Sequence, residues 1–186
     1  MAVFAARASA ELERKRADER LRQRLELEQL LAAISTNFIS LGPGQVDDGI
    51  NAALASIGRF LGADRSYVFL LSDDGATISN SHEWCADGIT SQRDQLQHRP
   101  VEAVPWWMER LKRFEPISIP CVADLPDEAG AERAILQAHA IESLIAVPMT
   151  KGNQLVGFIG FDSVQAPRAW PEEDITLLCL FGEMVV

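Results

Sequence analysis

Cysteine is scarce in this 186-residue chain, and its three copies, Cys85, Cys121 and Cys179, form no CxxC pair. That excludes a disulfide framework, and with no secretion signal it points to a reducing compartment. The opening MAVFAARASA is interrupted by Arg7 and makes a poor signal peptide. No apolar run approaches the roughly 18 residues that a membrane span needs. A basic surplus is missing as well: the formal net charge is −10. Residues 29–186 carry 21 of the 27 acidic residues but only 10 of the 17 basic ones. Such a balance argues against broad contact with a phosphate backbone. Basic residues near the start are interleaved with acids, so they form no nucleic-acid arm. Repeats and low-complexity tracts are lacking too. What is left is the profile of a soluble cytoplasmic protein, 47% apolar and long enough to bury a core without staples.

The first long feature is a segment of more than 30 residues, from Ala8 to Phe38, without Gly or Pro. Its Ala, Glu, Leu, Arg and Gln content predicts a helix. Leu27, Leu31, Ile34, Phe38 and Leu41 recur at spacings of four and three, an a/d seam suited to pairing with another helix. Upstream the register falls on Arg20 and Arg24, where pairing would be loose. Gly42, Pro43 and Gly44 break the helix, and Asp47 or Asp48 is placed to cap a second one. There Ile50, Leu54, Ile57, Phe60 and Leu61 share a face, and Gly62 ends it.

Ala63–Asp74 reads as a strand whose centre, Tyr67 to Leu71, is apolar on both faces, as in a sheet covered on both sides. The turn Asp73-Asp74-Gly75 leads into a second strand, Thr77–Ala86, giving an antiparallel hairpin. A short helix opens at Pro105, and Pro116–Val122 reads as an edge strand because of its prolines. A helix with Asp124, Asp127 and Glu128 near its positive end follows, with Ile135 and Leu136 facing inward. A second hairpin turns at Lys151-Gly152-Asn153, and a last helix starts near Trp170-Pro171. Hairpins near both ends with helices between predict an α+β sandwich on an antiparallel sheet. The last helix is still apolar at Val186, so it is expected to continue into a further domain.

The stretch SHEWCADGI, Ser81–Ile89, gathers residue types used in metal sites and nucleophilic catalysis. On a strand, His82 and Trp84 point one way while Glu83 and Cys85 point the other. His82 and Cys85 therefore share neither a zinc ion nor a nucleophile–base contact, and no second ligand cluster exists. The reading is no metal and no catalytic residue. Cys85 is expected as a small buried group, and His82 and Trp84 as the pair facing a ligand pocket. Trp106 and Trp107 lie about 100° apart on one helix, so one of them is expected to cover the sheet or line the pocket mouth. The acidic run Asp124, Asp127, Glu128 and Glu132 is explained by helix capping and solvation. Gly157 and Gly160 are expected to let a helix approach closely.

Six segments in order, SHEWCADGI, PWWMERL, ISIPCVADLPDEAGAERAIL, IESLIAVPM, LVGFIGFDSV and WPEEDITLL, resemble bacterial GAF domains. The resemblance covers residues 29–186 and leaves residues 1–28 as a signalling or coiled-coil helix. It implies a central antiparallel sheet of about six strands, with terminal helices on one face. Helices and loops would enclose a small-molecule pocket on the other. GAF domains of this group sit upstream of histidine kinases and diguanylate cyclases in two-component and related systems, often as parallel dimers. The resemblance thus implies a non-enzymatic sensor that homodimerises through Leu27, Leu31, Ile34, Phe38, Leu178, Phe181 and Val185 and regulates a linked output domain. His82, Trp84, Trp106 and Trp107 are the candidate ligand contacts. The ligand itself does not carry over. Phe161–Asp162 only echoes the end of the cyclic-nucleotide signature, no Cys-His dipeptide suits a bilin, and no histidine stands out as a haem ligand. The cofactor is left unknown. Two alternatives stay open: a ligand-free structural dimerisation module, and a thiol redox sensor or enzyme using Cys85 and Cys121.

Overall fold

A computed structural model describes residues 2–42 and 44–186, with side chains from Glu11 onward apart from those of Arg20 and Gln23. Pro43 and the Arg20 side chain, both used above, lie outside the described residues. The chain forms two compact units, residues 1–40 and 41–186. The first is a single helix, α1, Ala2–Ser40, which runs through residue 28 without a break.

In the second unit α2, Val46–Leu61, opens without the side-chain cap expected from Asp47 or Asp48. Those two carboxylates lie in its first turn, where the helix dipole favours them. Gln45 at the cap position instead accepts the Gly42 N–H at 3.0 Å. Gly62, in the left-handed conformation at φ 64°, closes the helix by donating back to Arg59 and Gly58 carbonyls.

Six strands follow: β1 Arg65–Leu71, β2 Thr77–Cys85, β3 Arg99–Pro100, β4 Ile117–Ile119, β5 Ser143–Lys151 and β6 Gln154–Ser163. They form one sheet in the order β3-β2-β1-β6-β5-β4, antiparallel throughout. The β1–β2 turn is tied by Ser72 Oγ donating to Asp74 Oδ1 at 2.6 Å, while Asp74 Oδ1 also accepts the Ala76 N–H at 3.0 Å. Between these elements lie α3, Pro105–Lys112, and α4, Gly130–Ala138; α5, Glu172–Val185, ends the chain.

Alternation along the strands sorts the core into two layers. Toward α2 and α5 the sheet presents Val68, Ile145, Val147, Ile159 and Phe161, all fully buried. Leu177, Leu178 and Phe181 of α5 are likewise buried in this unit, at 1%, 0% and 0% exposure. Leu178 and Phe181 were expected at a dimer interface; they are committed to the core of this unit instead. On the other face Tyr67, Phe69, Ile78, Leu144, Ala146 and Phe158 pack with Trp107, Met108 and Leu111 of α3 and Leu136 of α4.

Two details position the functional face. Gly157 and Gly160 of β6 are close-approach sites, though not to a helix. A Cβ would meet the Phe69 carbonyl oxygen at 2.1 Å in one case and the Tyr67 ring at 2.2 Å in the other. The join between β6 and α5 is held by Asp64, whose carboxylate accepts Val164 N–H at 2.8 Å, Gln165 N–H at 3.2 Å, Gln165 Nε2 at 2.8 Å and Ser163 Oγ at 3.1 Å. Burial pushes the Asp64 carboxyl up, but these hydrogen bonds together hold it below its ordinary value.

Candidate functional site

A cavity of about 110 Å³ lies between the sheet, α3, α4 and the loop of residues 91–104. Its wall is mostly apolar, with Tyr67, Phe69, Ile78, Leu96, Val104, Trp107, Ile135, Leu136, Ile141 and Phe158. Polar groups enter from every side: Arg65, Asn80, Glu83, Arg99 and Asp162 from the sheet, Glu132 from α4, His139 from just past its end, and Gln92 from the loop.

Arg65 and Asp162 face each other on neighbouring strands, with Nε donating to Oδ1 at 3.0 Å and both side chains almost fully buried. A second guanidinium nitrogen, Nη2, donates to the His139 carbonyl at 3.2 Å, tying the end of α4 to the sheet. Burial pushes the Asp162 carboxyl up to about 7 against the opposing pull of Arg65, with Glu83 and Asp64 adding to the rise. Burial, then Arg65 and Arg99, hold the His139 imidazole below its usual value. Its Nδ1 is bonded to Gln92 Oε1 at 2.9 Å, linking α4 to the loop.

Glu83 fastens that loop. Its Oε2 accepts the Gln92 N–H at 2.9 Å, the Arg93 N–H at 3.1 Å and the Ser91 hydroxyl. Its Oε1 accepts Asn80 Nδ2 at 3.2 Å. Asn80 and Glu83 both reach the cavity because the pairing register of β1 and β2 shifts between Val68 and Phe69. A one-residue bulge of this kind reverses which face the following side chains take.

The bulge decides the fate of SHEWCADGI. His82 and Trp84 do point the same way, but toward α2 rather than into the cavity. The Trp84 ring lies where a Cβ on Gly58 would meet it at 2.4 Å, and the Arg59 guanidinium sits 5.4 Å from its centroid. His82 is bonded to Ser81 Oγ at 2.9 Å and to Asp47 Oδ1 at 3.2 Å. Of the paired tryptophans, Trp107 is buried and lines the cavity, while Trp106 packs at the edge of the core under the Arg110 guanidinium, 3.6 Å from its ring. Cys85 is half-buried, and burial together with the nearby Glu83 charge pushes its thiol up to about 11.

Glu132, expected as a capping, solvated residue, is neither solvated nor a cap of its own helix. It is 1% exposed, and its Oε1 accepts the backbone N–H of Trp107 at 3.2 Å, satisfying a donor in the first turn of α3. Its Oε2 has no partner, and neither do Asn80 Oδ1 and Trp107 Nε1, all buried beside the same cavity. A signal for this was in the sequence. Ala129, Glu132, Leu136 and His139 fall at i, i+3, i+7 and i+10, one face of a helix. A charged residue inside each of the apolar strands, Arg65 and Asp162, was the matching signal on the sheet. Among the described residues no group of three or more His, Cys, Asp or Glu is placed to hold a metal ion. Among them, too, no helix is long and apolar enough to cross a membrane.

A family model described as "GAF domain" matches residues 46–186. The chain belongs to the GAF domain family. Its GAF domain is also similar to the methanogenesis regulatory histidine kinase FilI of Methanothrix harundinacea, at 29% identity over 156 residues. That match covers 80% of this chain but only 17% of the kinase's length. Among solved structures, the phycocyanobilin-bound GAF domain from a cyanobacterial phytochrome superposes with a TM-score of 0.70 at 20% identity, covering 86% of this chain and 91% of that one. The chromophore-binding domain of the bacteriophytochrome RpBphP3 from R. palustris gives 0.71 at 15% identity, over 88% of this chain and 60% of that one. At these identities the likeness is one of fold.

Proposed function

We propose that this GAF domain is the sensory part of a cytoplasmic multidomain signalling protein, in which a small molecule in the cavity regulates a covalently linked output domain. The observation that carries the proposal is the set of three buried polar atoms without partners, Glu132 Oε2, Asn80 Oδ1 and Trp107 Nε1, around one cavity. Buried polar atoms left unpaired are costly, and a ligand that pairs them recovers that cost. The similarity to a regulatory histidine kinase supports the same reading.

The route to an output follows from β6. Phe158 and Asp162 line the cavity, while Ile159 and Phe161 lie on the opposite face, the one that α5 covers. A displacement of β6 on the cavity side therefore moves the seat of α5. A ligand acts on the output only to the extent that it binds one helix arrangement better than the other. The domain works as a homodimer in this proposal, paired through Leu27, Leu31 and Phe38 of α1 and through Val185; Ile34, also expected there, is already buried within the chain at 5% exposure and is left out. Its role is regulatory, with any catalysis left to the output domain.

Native mass spectrometry of the purified chain, followed by a thermal-shift metabolite screen, tests the proposal. A retained small molecule or a saturable rise in Tm supports it; an empty dimer with no response refutes it in favour of a structural dimerisation module. The cavity volume gives that second reading its footing, since about 110 Å³ is below the roughly 300–1,000 Å³ of most ligand pockets. The thiol redox reading lacks such footing, because a reactive cysteine needs a lowered thiol value and that of Cys85 is raised.

A further inference from the structure

If the cavity takes a small molecule, its walls narrow the chemical class. Four aromatic rings form a continuous surface there. Tyr67 meets Phe69 edge-on with centroids 5.6 Å apart, Phe69 stacks on Phe158 at 4.8 Å, and Trp107 tilts against Phe158 at 5.8 Å. Aromatic faces attract cations, most strongly where water is excluded.

Charge supplies the second constraint. Glu132 is 1% exposed and its Oε2 has no hydrogen-bond partner. The one buried cation of the wall, Arg65, is already committed to Asp162 at 3.0 Å and to the His139 carbonyl at 3.2 Å. Glu83 is satisfied by the loop amides, and Arg99 lies exposed at the rim. Glu132 Oε2 is thus a buried carboxylate oxygen of the cavity wall left without a donor, and leaving such an acceptor unpaired is costly. An anionic ligand would bring further acceptors to it, whereas an ammonium supplies the donors it lacks.

Size is the third constraint. The volume of about 110 Å³ is somewhat below the ~150 Å³ of an engineered cavity that holds benzene, so the part of an occupant lying inside it is a small group. Bilins, haem and cyclic nucleotides are all larger. We infer that the cavity binds a small organic cation, an amine whose ammonium pairs with Glu132 Oε2 and whose apolar part lies against Phe69, Phe158 and Trp107. This rests on the sensory reading and specifies its ligand class.

The test uses the full chain and three probes of matched size: isobutylamine, isobutanol and isobutyrate. Binding is followed by NMR at the Trp107 indole N–H, assigned by its loss in Trp107→Phe. Isobutylamine should shift that resonance saturably and bind at least about tenfold more tightly than either other probe. Glu132→Gln, which keeps the Oε1 acceptor for the Trp107 amide, should cost the amine about tenfold or more and leave isobutanol within about twofold. If Glu132→Gln does not fold, Glu132→Asp, which withdraws the charge by one methylene, should weaken the amine selectively. Isobutanol or isobutyrate binding as tightly as the amine, or an amine affinity indifferent to Glu132, overturns the cation assignment while leaving a ligand-binding cavity. No shift with any probe, nor with xenon under pressure, overturns the ligand-binding reading itself.

Discussion

Glu83→Ala should open one wall of the cavity without unfolding the domain. The substitution removes an acceptor from the Gln92 and Arg93 amides, at 2.9 and 3.1 Å, from the Ser91 hydroxyl and from Asn80 Nδ2 at 3.2 Å. A hydrogen bond to a buried charged acceptor contributes about 1.5–3 kcal/mol; for this half-buried carboxylate about 1 kcal/mol per backbone amide is the sounder figure. The two amides then lose about 2 kcal/mol of local stability, which corresponds to roughly thirtyfold faster hydrogen exchange at Gln92 and Arg93. Other ties hold the far half of the loop, with Asn80 N–H donating to the Leu96 carbonyl at 2.9 Å and Gln97 Nε2 to the Asn80 carbonyl at 2.8 Å. The Asn80 amide and those of the buried strand β5, such as Ile145, should therefore keep their protection. Native-state exchange read by NMR measures all of these in one experiment. Unchanged exchange at Gln92 and Arg93 would refute Glu83 as the fastening of the loop. An equal loss at Ile145 would show instead that the whole unit had been destabilised.

Five further outcomes are expected. Gly160→Ala forces the buried Tyr67 ring away from a Cβ 2.2 Å from it and should destabilise by about 1–3 kcal/mol in a denaturant titration. Because burial raises Asp162 to about 7, the folded state holds that proton more tightly than the unfolded chain does. Its contribution is full below about pH 4 and is lost as pH rises through about 7, so Asp162→Asn should flatten the Tm profile across that interval. Asp64 is shifted the other way, so its contribution is present above about pH 4 and lost as pH falls, and Asp64→Asn should weaken the acid limb of the same profile. Cys85, with its thiol at about 11, should alkylate about tenfold more slowly near pH 8 than a thiol at 9.0, its scarcer thiolate being partly offset by greater nucleophilicity; quantitative labelling checks this, and a fast Cys85 would revive the redox reading. Leu31→Asp should shift the chain from dimer to monomer in light scattering if α1 carries the pairing.

Most of the fold was readable because local chemistry and global arrangement agree. The turns at Asp73-Asp74-Gly75 and Lys151-Gly152-Asn153, the doubly apolar β1 and Pro105 at the first position of α3 each determine an element by themselves. The cavity was harder for two physical reasons. Strand alternation was assumed to run unbroken through β2, and the bulge beside Ser81 reverses it, sending Glu83 rather than His82 and Trp84 to the cavity. A bulge depends on how the partner strand pairs, which no window of β2 contains. Glu132 departs from expectation because an acid in the first turn of a helix usually serves the helix dipole in water. Here the first turns of α3 and α4 meet, and its carboxylate serves the neighbouring helix instead. The two-residue β3 has no periodicity to detect.

The sheet ends on β3, two residues long, and on β4, three residues set between Pro116 and Pro120. An unpaired strand edge recruits other chains through its free amides and carbonyls, and short edges flanked by proline offer few of either. These two outermost strands are therefore themselves poor templates for strand addition from a second copy or from a misfolded chain. Growth by edge-to-edge pairing into aggregates is thereby disfavoured at both outermost strands.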